Sequence, residues 1–183
     1  TSIAELVQGV TKLSKIHFDS GRDHKGANLR KLILAMAKDI RVVVIKLCDR
    51  LHNMRTLRFL NEEKRLAIAR DTLAIYAPLA HRLGMTRIRT ELEDLAMYWL
   101  YPEDYRMLQQ AISRRRNERE TLIEEAKEFL RLYLGVHYPN ISIEGRSKHF
   151  YSVWRKMKAQ GLSFEEIYDL NAIRIVCDDI TQC

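Results

Sequence analysis

Ile40-Arg-Val-Val-Val-Ile-Lys-Leu-Cys-Asp-Arg-Leu-His-Asn-Met-Arg-Thr-Leu57 is the stretch on which the fold turns. Its first half, with β-branched Val42 to Ile45, suits a strand as well as a helix, because branching at Cβ packs well on a pleated surface. The second half decides. Val44, Leu47, Cys48, Leu51 and Met54 recur at i, i+3, i+4, i+7 and i+10, so the spacing predicts a helix throughout. At 100° per residue, Asp49, His52, Asn53 and Thr56 then fall within about a quarter of the circumference, opposite the apolar stripe. One face thus offers a carboxylate, an imidazole, an amide and a hydroxyl. That mixture suits a divalent ion beside ribose or phosphate, and it equally suits a solvated helix face. One aspartate does not complete a coordination shell, and no His-x-x-x-His or His-Asp pair occurs in the chain.

Working outward, Ile3, Leu6, Val7, Val10 and Leu13 repeat the helical spacing, as do Leu29, Leu32, Ile33 and Met36 after a polar loop at 19–26. Two packed helices are expected there. Asn61 before Glu62 and Glu63 reads as an N-cap for a helix carrying Leu66, Leu73 and Tyr76, with Pro78 breaking or restarting it and Gly84 ending it. Ile88, Leu92, Leu95 and Trp99 make a further stripe, closed by Tyr101-Pro102. A long charged helical segment runs on to about Leu134, with Gly135 as its stop.

The texture then changes. Ile141 and Ile143 alternate with polar residues for a short strand, Gly145 is expected to bend the chain, and 149–160 resumes helical spacing through Val153, Trp154 and Met157. Ser163-Phe-Glu-Glu166 fits a capping box, and Ile173-Arg-Ile-Val-Cys177 reads as a buried strand. Residues 1–134 therefore look all-helical, while 140–183 look like the opening β-α-β of a mixed domain.

Gly145-Arg-Ser-Lys-His149, with Ser152, Arg155, Lys156 and Lys158, forms the second constellation. Five formal positive charges and no negative ones fall within 145–158, at a strand-turn-helix junction where the helix dipole also attracts anions. Polyphosphate is a natural ligand, although the single glycine makes no Walker loop, and a basic solvated helix face is the plainer alternative. Asp169 stands at the entrance to the last strand, placed to offer an oxygen to a divalent ion or to cap or pair locally. Arg114-Arg-Arg116 reads as a solvated face or an interdomain contact, Trp99 and Trp154 as core, and His17, His24, His81 and His137 as surface or packing histidines.

The whole chain bounds these readings. Its 183 residues make one ordinary domain and part of another. Seven glycines and three prolines disfavour a turn-rich sandwich. A net charge of +7 favours anionic partners without choosing among nucleotides, nucleic acid and acidic membranes. The longest apolar run, Val42 to Ile45, is far short of the ~20 residues of a bilayer span, no charged-then-apolar leader opens the chain, and no membrane partner is expected. Three cysteines without a C-x-x-C fit a cytoplasmic protein.

Five blocks, in order, resemble one family. Lys46 to Leu57, Ile75-Tyr-Ala-Pro-Leu-Ala-His-Arg-Leu-Gly84, Glu91-Leu-Glu-Asp-Leu95, Gly145 to Met157 and Phe164 to Val176 are similar to the long RelA/SpoT homologues of the stringent response. The resemblance implies a mainly α chain, with an all-helical HD-type domain portion followed by the start of a mixed α/β nucleotidyltransferase-like domain. It divides the chain into the C-terminal part of an HD-type hydrolase domain at 1–100, a connecting helical segment at 101–135 and a truncated synthetase domain at 136–183.

The activities implied are Mn²⁺-dependent removal of the 3′-pyrophosphate from (p)ppGpp and pyrophosphate transfer from ATP to GDP or GTP. By resemblance Asp49 is a Mn²⁺ ligand, with Asn53 and Thr56 on the bound nucleotide. Arg146 stacks on adenine, Lys148, Ser152, Lys156 and Arg174 hold phosphates or ribose, and Asp169 is a Mg²⁺ ligand. The intact Asp49, His52 and Asn53 favour a bifunctional parent. A synthetase-only homologue with a silent HD domain stays open, as does a non-catalytic regulator that keeps the fold and binds a ribosome, RNA or alarmone through its basic surface; in the family reading a ribosome contact is expected through regions outside this chain. Cys48 stands where alanine is usual, expected as a small buried group, and Ser147 where proline is usual, which frees φ. The remaining metal ligands are expected before Thr1 and after Cys183, so that this piece alone catalyses neither reaction.

Overall fold

A computed structural model describes residues 2–14, 39–114, 116–136, 138 and 140–180. The helix expected through Leu29 to Met36, the loop at 19–26, His17, His24, Arg115, His137 and Cys183 lie outside the described residues. The chain divides into two compact units, Thr1–Pro102 and Glu103–Cys183.

In the first unit α1 (Ser2–Ser14) packs on α2 (Ile40–Arg55). Asp39 caps α2 by accepting from the Arg41 backbone N–H, which fixes the helix start just ahead of the β-branched run. Val42, Val43, Leu47, Leu51 and Met54 are buried. The buried stripe is rotated from the one expected: Val42 replaces Val44 because α1 covers that side, with Gly9 lying against Val42 so closely that a Cβ would sit 2.8 Å from its Cγ2. Cys48, expected buried, is exposed, since it turns about 100° away from Leu47 and off the core side.

Asn61 caps α3 (Glu62–Asp71) by accepting from the Lys64 N–H, as its sequence suggests. Pro78 does not break the chain's helical course. A π turn at Thr72–Tyr76 leads directly into α4 (Ala77–Arg82), where Pro78 stands in the first turn, the place in a helix where proline is best tolerated. Gly84 ends α4 at φ +69°, a left-handed conformation glycine takes without strain. α5 (Thr86–Leu100) completes this core, with Leu92, Ala96 and Met97 buried.

The second unit holds α6 (Pro102–Arg114), α7 (Arg116–Gly135), β1 (Ser142–Ser147), α8 (Phe150–Gln160) and β2 (Asn171–Val176). Leu108, Ile143, Val153, Phe164, Ile167 and Leu170 are its buried residues. β1 and β2 pair antiparallel with Gly145 opposite Ile173 and Arg146 opposite Ala172. Gly145 does not bend the chain. It lies mid-strand because α7 packs there, and an ideal Cβ would collide with Ile123 Cγ2. β2 is not the buried strand expected: Ile175 and Val176 are 39% and 47% exposed, because β2 pairs only with β1 among the described residues and α7 covers one face alone. Trp154, expected in the core, is half-buried with its indole N–H donating to Asp104 at 2.7 Å. The capping box at Ser163 and Glu166 forms around the turn Phe164–Glu166. No helix among the described residues is long and apolar enough to cross a membrane.

Candidate functional site

Two polar sites emerge, one in each unit. On α2 the face that α1 covers at Val42 emerges two turns later as Asp49, since seven residues make nearly two full helical turns. Asp49 is half-buried. It accepts from Lys46 Nζ at 2.7 Å, and from Asn53 Nδ2 at a longer 3.4 Å. Asn53 and His52 are exposed, so the face is open to solvent. The Thr56 hydroxyl donates back to the His52 and Asn53 carbonyls at the end of the helix.

Neither flank of this turn was legible as part of a site. Arg55 donates through Nε and Nη2 to both oxygens of Glu91 on α5, at 2.6 and 2.9 Å, a bidentate pair between elements 36 residues apart. The block containing Glu91 was visible in the sequence, but no local spacing ties it to Arg55. On the other flank the Arg50 guanidinium lies over the Tyr76 ring, 4.0 Å from its centroid.

The second site gathers at one end of the sheet. The pairing register puts Glu144 and Arg146 of β1 on the same face as Ala172 and Arg174 of β2, away from the face that Gly145 presents to Ile123. Arg146 and Arg174 are diagonal neighbours, about 7–8 Å apart at the backbone, and neither forms an ion pair among the described residues. Beyond the strand the Lys148 N–H donates to the Leu170 carbonyl, carrying the pairing one residue further and setting Lys148 beside Asp169. Lys148 and Lys156 each donate to a different oxygen of Asp169, Lys156 at 2.8 Å. The Lys148 ammonium, and then that of Lys156, hold this carboxyl down at about 2. Ser152 sits half-buried on α8, one turn from Lys156 and one turn beyond Lys148. Five of these six residues therefore converge as two groups, the arginines on the sheet and the lysines on Asp169. Ser152 shares only their side of the helix.

Among the described residues no three of His, Cys, Asp and Glu come together as a metal site. Asp49 and Asp169 are single carboxylates, each fit to serve as one hard oxygen ligand within a larger shell. Chemically, the first site offers an acid beside an amide on an open helix face, and the second a cationic cradle built around one acid.

Residues 1–86 match the family model described as HD domain, and residues 145–183 match the one described as Region found in RelA / SpoT proteins. The chain is 49% identical over 183 residues to a probable guanosine-3′,5′-bis(diphosphate) 3′-pyrophosphohydrolase of Synechocystis sp., covering 98% of this chain and 24% of that protein. It is 45% identical to a GTP pyrophosphokinase of Myxococcus xanthus, covering 100% and 25%. It is 43% identical to the bifunctional (p)ppGpp synthase/hydrolase SpoT of Escherichia coli (strain K12), covering 100% and 26%. The chain thus spans about a quarter of the length of the curated relatives it matches.

Proposed function

The chain belongs to the RelA/SpoT family, and from that premise we propose that it is part of a bifunctional enzyme that makes and destroys (p)ppGpp. In this reading residues 1–100 are the later part of the hydrolase domain, 101–135 the connecting helices and 136–183 the first part of the synthetase domain. The whole protein removes the 3′-pyrophosphate from (p)ppGpp with Mn²⁺ and, with Mg²⁺, moves pyrophosphate from ATP to the 3′-hydroxyl of GDP or GTP, in the cytoplasm. The observation that supports it is the presence of one carboxylate in each unit, each beside the polar groups that a nucleotide site requires.

Pyrophosphoryl transfer relies mainly on positioning and charge neutralisation. Arg146 and Arg174 present planar guanidinium groups on one sheet face, Arg146 to stack on adenine and Arg174 to hold phosphate or ribose. Lys148 and Lys156 carry the compact charges suited to phosphate, and Ser152 adds a hydroxyl donor. As the polyphosphate settles, the lysines turn from Asp169 to the phosphate oxygens, and Asp169 becomes available to a divalent ion. On the other site Asp49 would serve as one ligand, while Asn53 and Thr56 contact the nucleotide. A divalent ion bound there supplies polarisation of the phosphoryl oxygen and a more acidic attacking water.

The test is separability in the whole protein. Asp49→Ala is expected to abolish Mn²⁺-dependent hydrolysis and spare synthesis, and Asp169→Ala to do the reverse. Equal loss of both activities in either variant, or salt-sensitive RNA binding with no metal-dependent turnover in the wild type, would sink the reading.

A further inference from the structure

Arg50 and its neighbours have no part in the reading above, yet they form an ordered cluster directly behind it. Arg50 follows Asp49 on α2, about 100° round the helix, on the side between the open face and the core. Its guanidinium lies on the Tyr76 ring, which is 2% exposed. It also faces Asp71, whose carboxyl is pushed up by burial and drawn partly back by the Arg50 charge.

Asp71 and Tyr76 are five residues apart, and a regular α-helix would set them about 140° from one another. The π turn Thr72–Tyr76, closed by the Ala77 N–H donating to the Thr72 carbonyl, changes that period. Residues five apart are thereby brought toward one side of the helix, with the guanidinium on the Tyr76 ring and its charge felt at Asp71. The turn is also fastened to α2: the buried Thr72 hydroxyl donates to the Ile68 carbonyl at 2.7 Å and lies 3.2 Å from the sulfur of Met54, one turn beyond Arg50. The uncommon helical period thus falls where the chain is tied to α2 through Thr72 and Tyr76.

We propose that Arg50, stacked on the buried Tyr76 ring, is a positioning residue of the hydrolase site, fixing the rotation of the turn of α2 that carries Asp49 and Asn53. The inference rests on the functional reading above. Because His52 and Asn53 are exposed, the rotation of this turn is set from behind and from its flanks. Arg50 and Met54 hold it on one side, and the Arg55–Glu91 pair holds it on the other.

The experiment uses the whole protein as wild type, Asp49→Ala, Arg50→Ala, Arg50→Lys and Tyr76→Leu. Mn²⁺ binding without nucleotide is followed by electron paramagnetic resonance, alongside thermal melting by circular dichroism, hydrolysis kinetics and synthesis. Arg50→Ala and Tyr76→Leu are expected to weaken Mn²⁺ binding 10–100-fold, the range typical of residues that orient a metal ligand from outside the coordination shell. The hydrolytic kcat should fall more than KM changes, with synthesis unaltered. Arg50→Lys, which keeps the charge but loses the planar stacking face, should fall between Arg50→Ala and wild type. A folded Arg50→Ala protein with Mn²⁺ affinity and hydrolysis within twofold of wild type overturns the proposal. So does equal loss of both activities. If Arg50→Ala does not fold, unchanged Mn²⁺ affinity in Arg50→Lys and Tyr76→Leu overturns it as well. Failure of the functional reading looks different: wild type and Asp49→Ala then bind Mn²⁺ alike, and the inference falls with it.

Discussion

Lys148 and Lys156 hold Asp169 from the end of β1 and from the middle of α8, and the consequence for pH has a definite sign. The folded carboxyl lies at about 2, below the ordinary aspartate value of about 3.9. Stability from these contacts is therefore present above the ordinary value and is lost as pH falls toward 2. The groups are half exposed, so each contact contributes about 0–1 kcal/mol. Denaturant unfolding of wild type and Asp169→Asn should show a difference at pH 5 that shrinks steadily to nothing near pH 2, and a constant difference would refute this account of the shift. At this scale Asp49, Asn53, Arg146, Lys148, Lys156, Asp169 and Arg174 were all legible, some from spacing and the rest from family resemblance. Their pairing was not. Lys148 and Asp169 are 21 residues apart, and only the closing of β1 on β2 makes them neighbours. Arg50 with Tyr76 was hidden for a related reason, since a regular helical period places Tyr76 elsewhere.

Among the elements, the contact between α7 and β1 gives the sharpest prediction. Gly145→Ala forces a methyl group against Ile123 Cγ2 and should destabilise the second unit by about 1–3 kcal/mol. Ile123→Ala removes that atom, so the double variant should recover part of the loss. A thermal-melting cycle with no coupling between the two sites would show that α7 does not rest on Gly145. At the helix ends, Asn61→Ala should lower the stability of the first unit by ~1 kcal/mol, read by urea unfolding, because the Lys64 N–H loses its acceptor. Elements with strong local signals were readable from the chain: α2 from its stripe, α3 from Asn61, and the turn at 164–166 from its capping box. What failed was anything set by a neighbour. Gly145 looked like a bend because its missing side chain was taken as local freedom, when it makes room for α7. Val176 looked buried because an apolar strand carries no mark of how many strands flank it.

For the molecule as a whole, the two carboxylates belong to separate compact units and share no hydrogen-bond partner among the described residues, and independent sites of that kind act additively. A protein carrying both Asp49→Ala and Asp169→Ala should therefore show the sum of the two single effects on stability, measured by calorimetry, and a shortfall beyond about 0.5 kcal/mol would reveal coupling. With five cations and no anion across 145–158, nucleotide binding to the second unit should also weaken steeply with added salt. The lysine pair on Asp169 qualifies that last expectation. Because the cradle already carries its own counter-ion, an arriving anion must displace a tethered rival instead of filling an empty seat. Chloride or a lone orthophosphate competes poorly on those terms, whereas a chelated triphosphate brings both the charge for the lysines and a replacement partner for the aspartate. On the proposed reading, long phosphate chains are therefore expected to bind in preference to single phosphates.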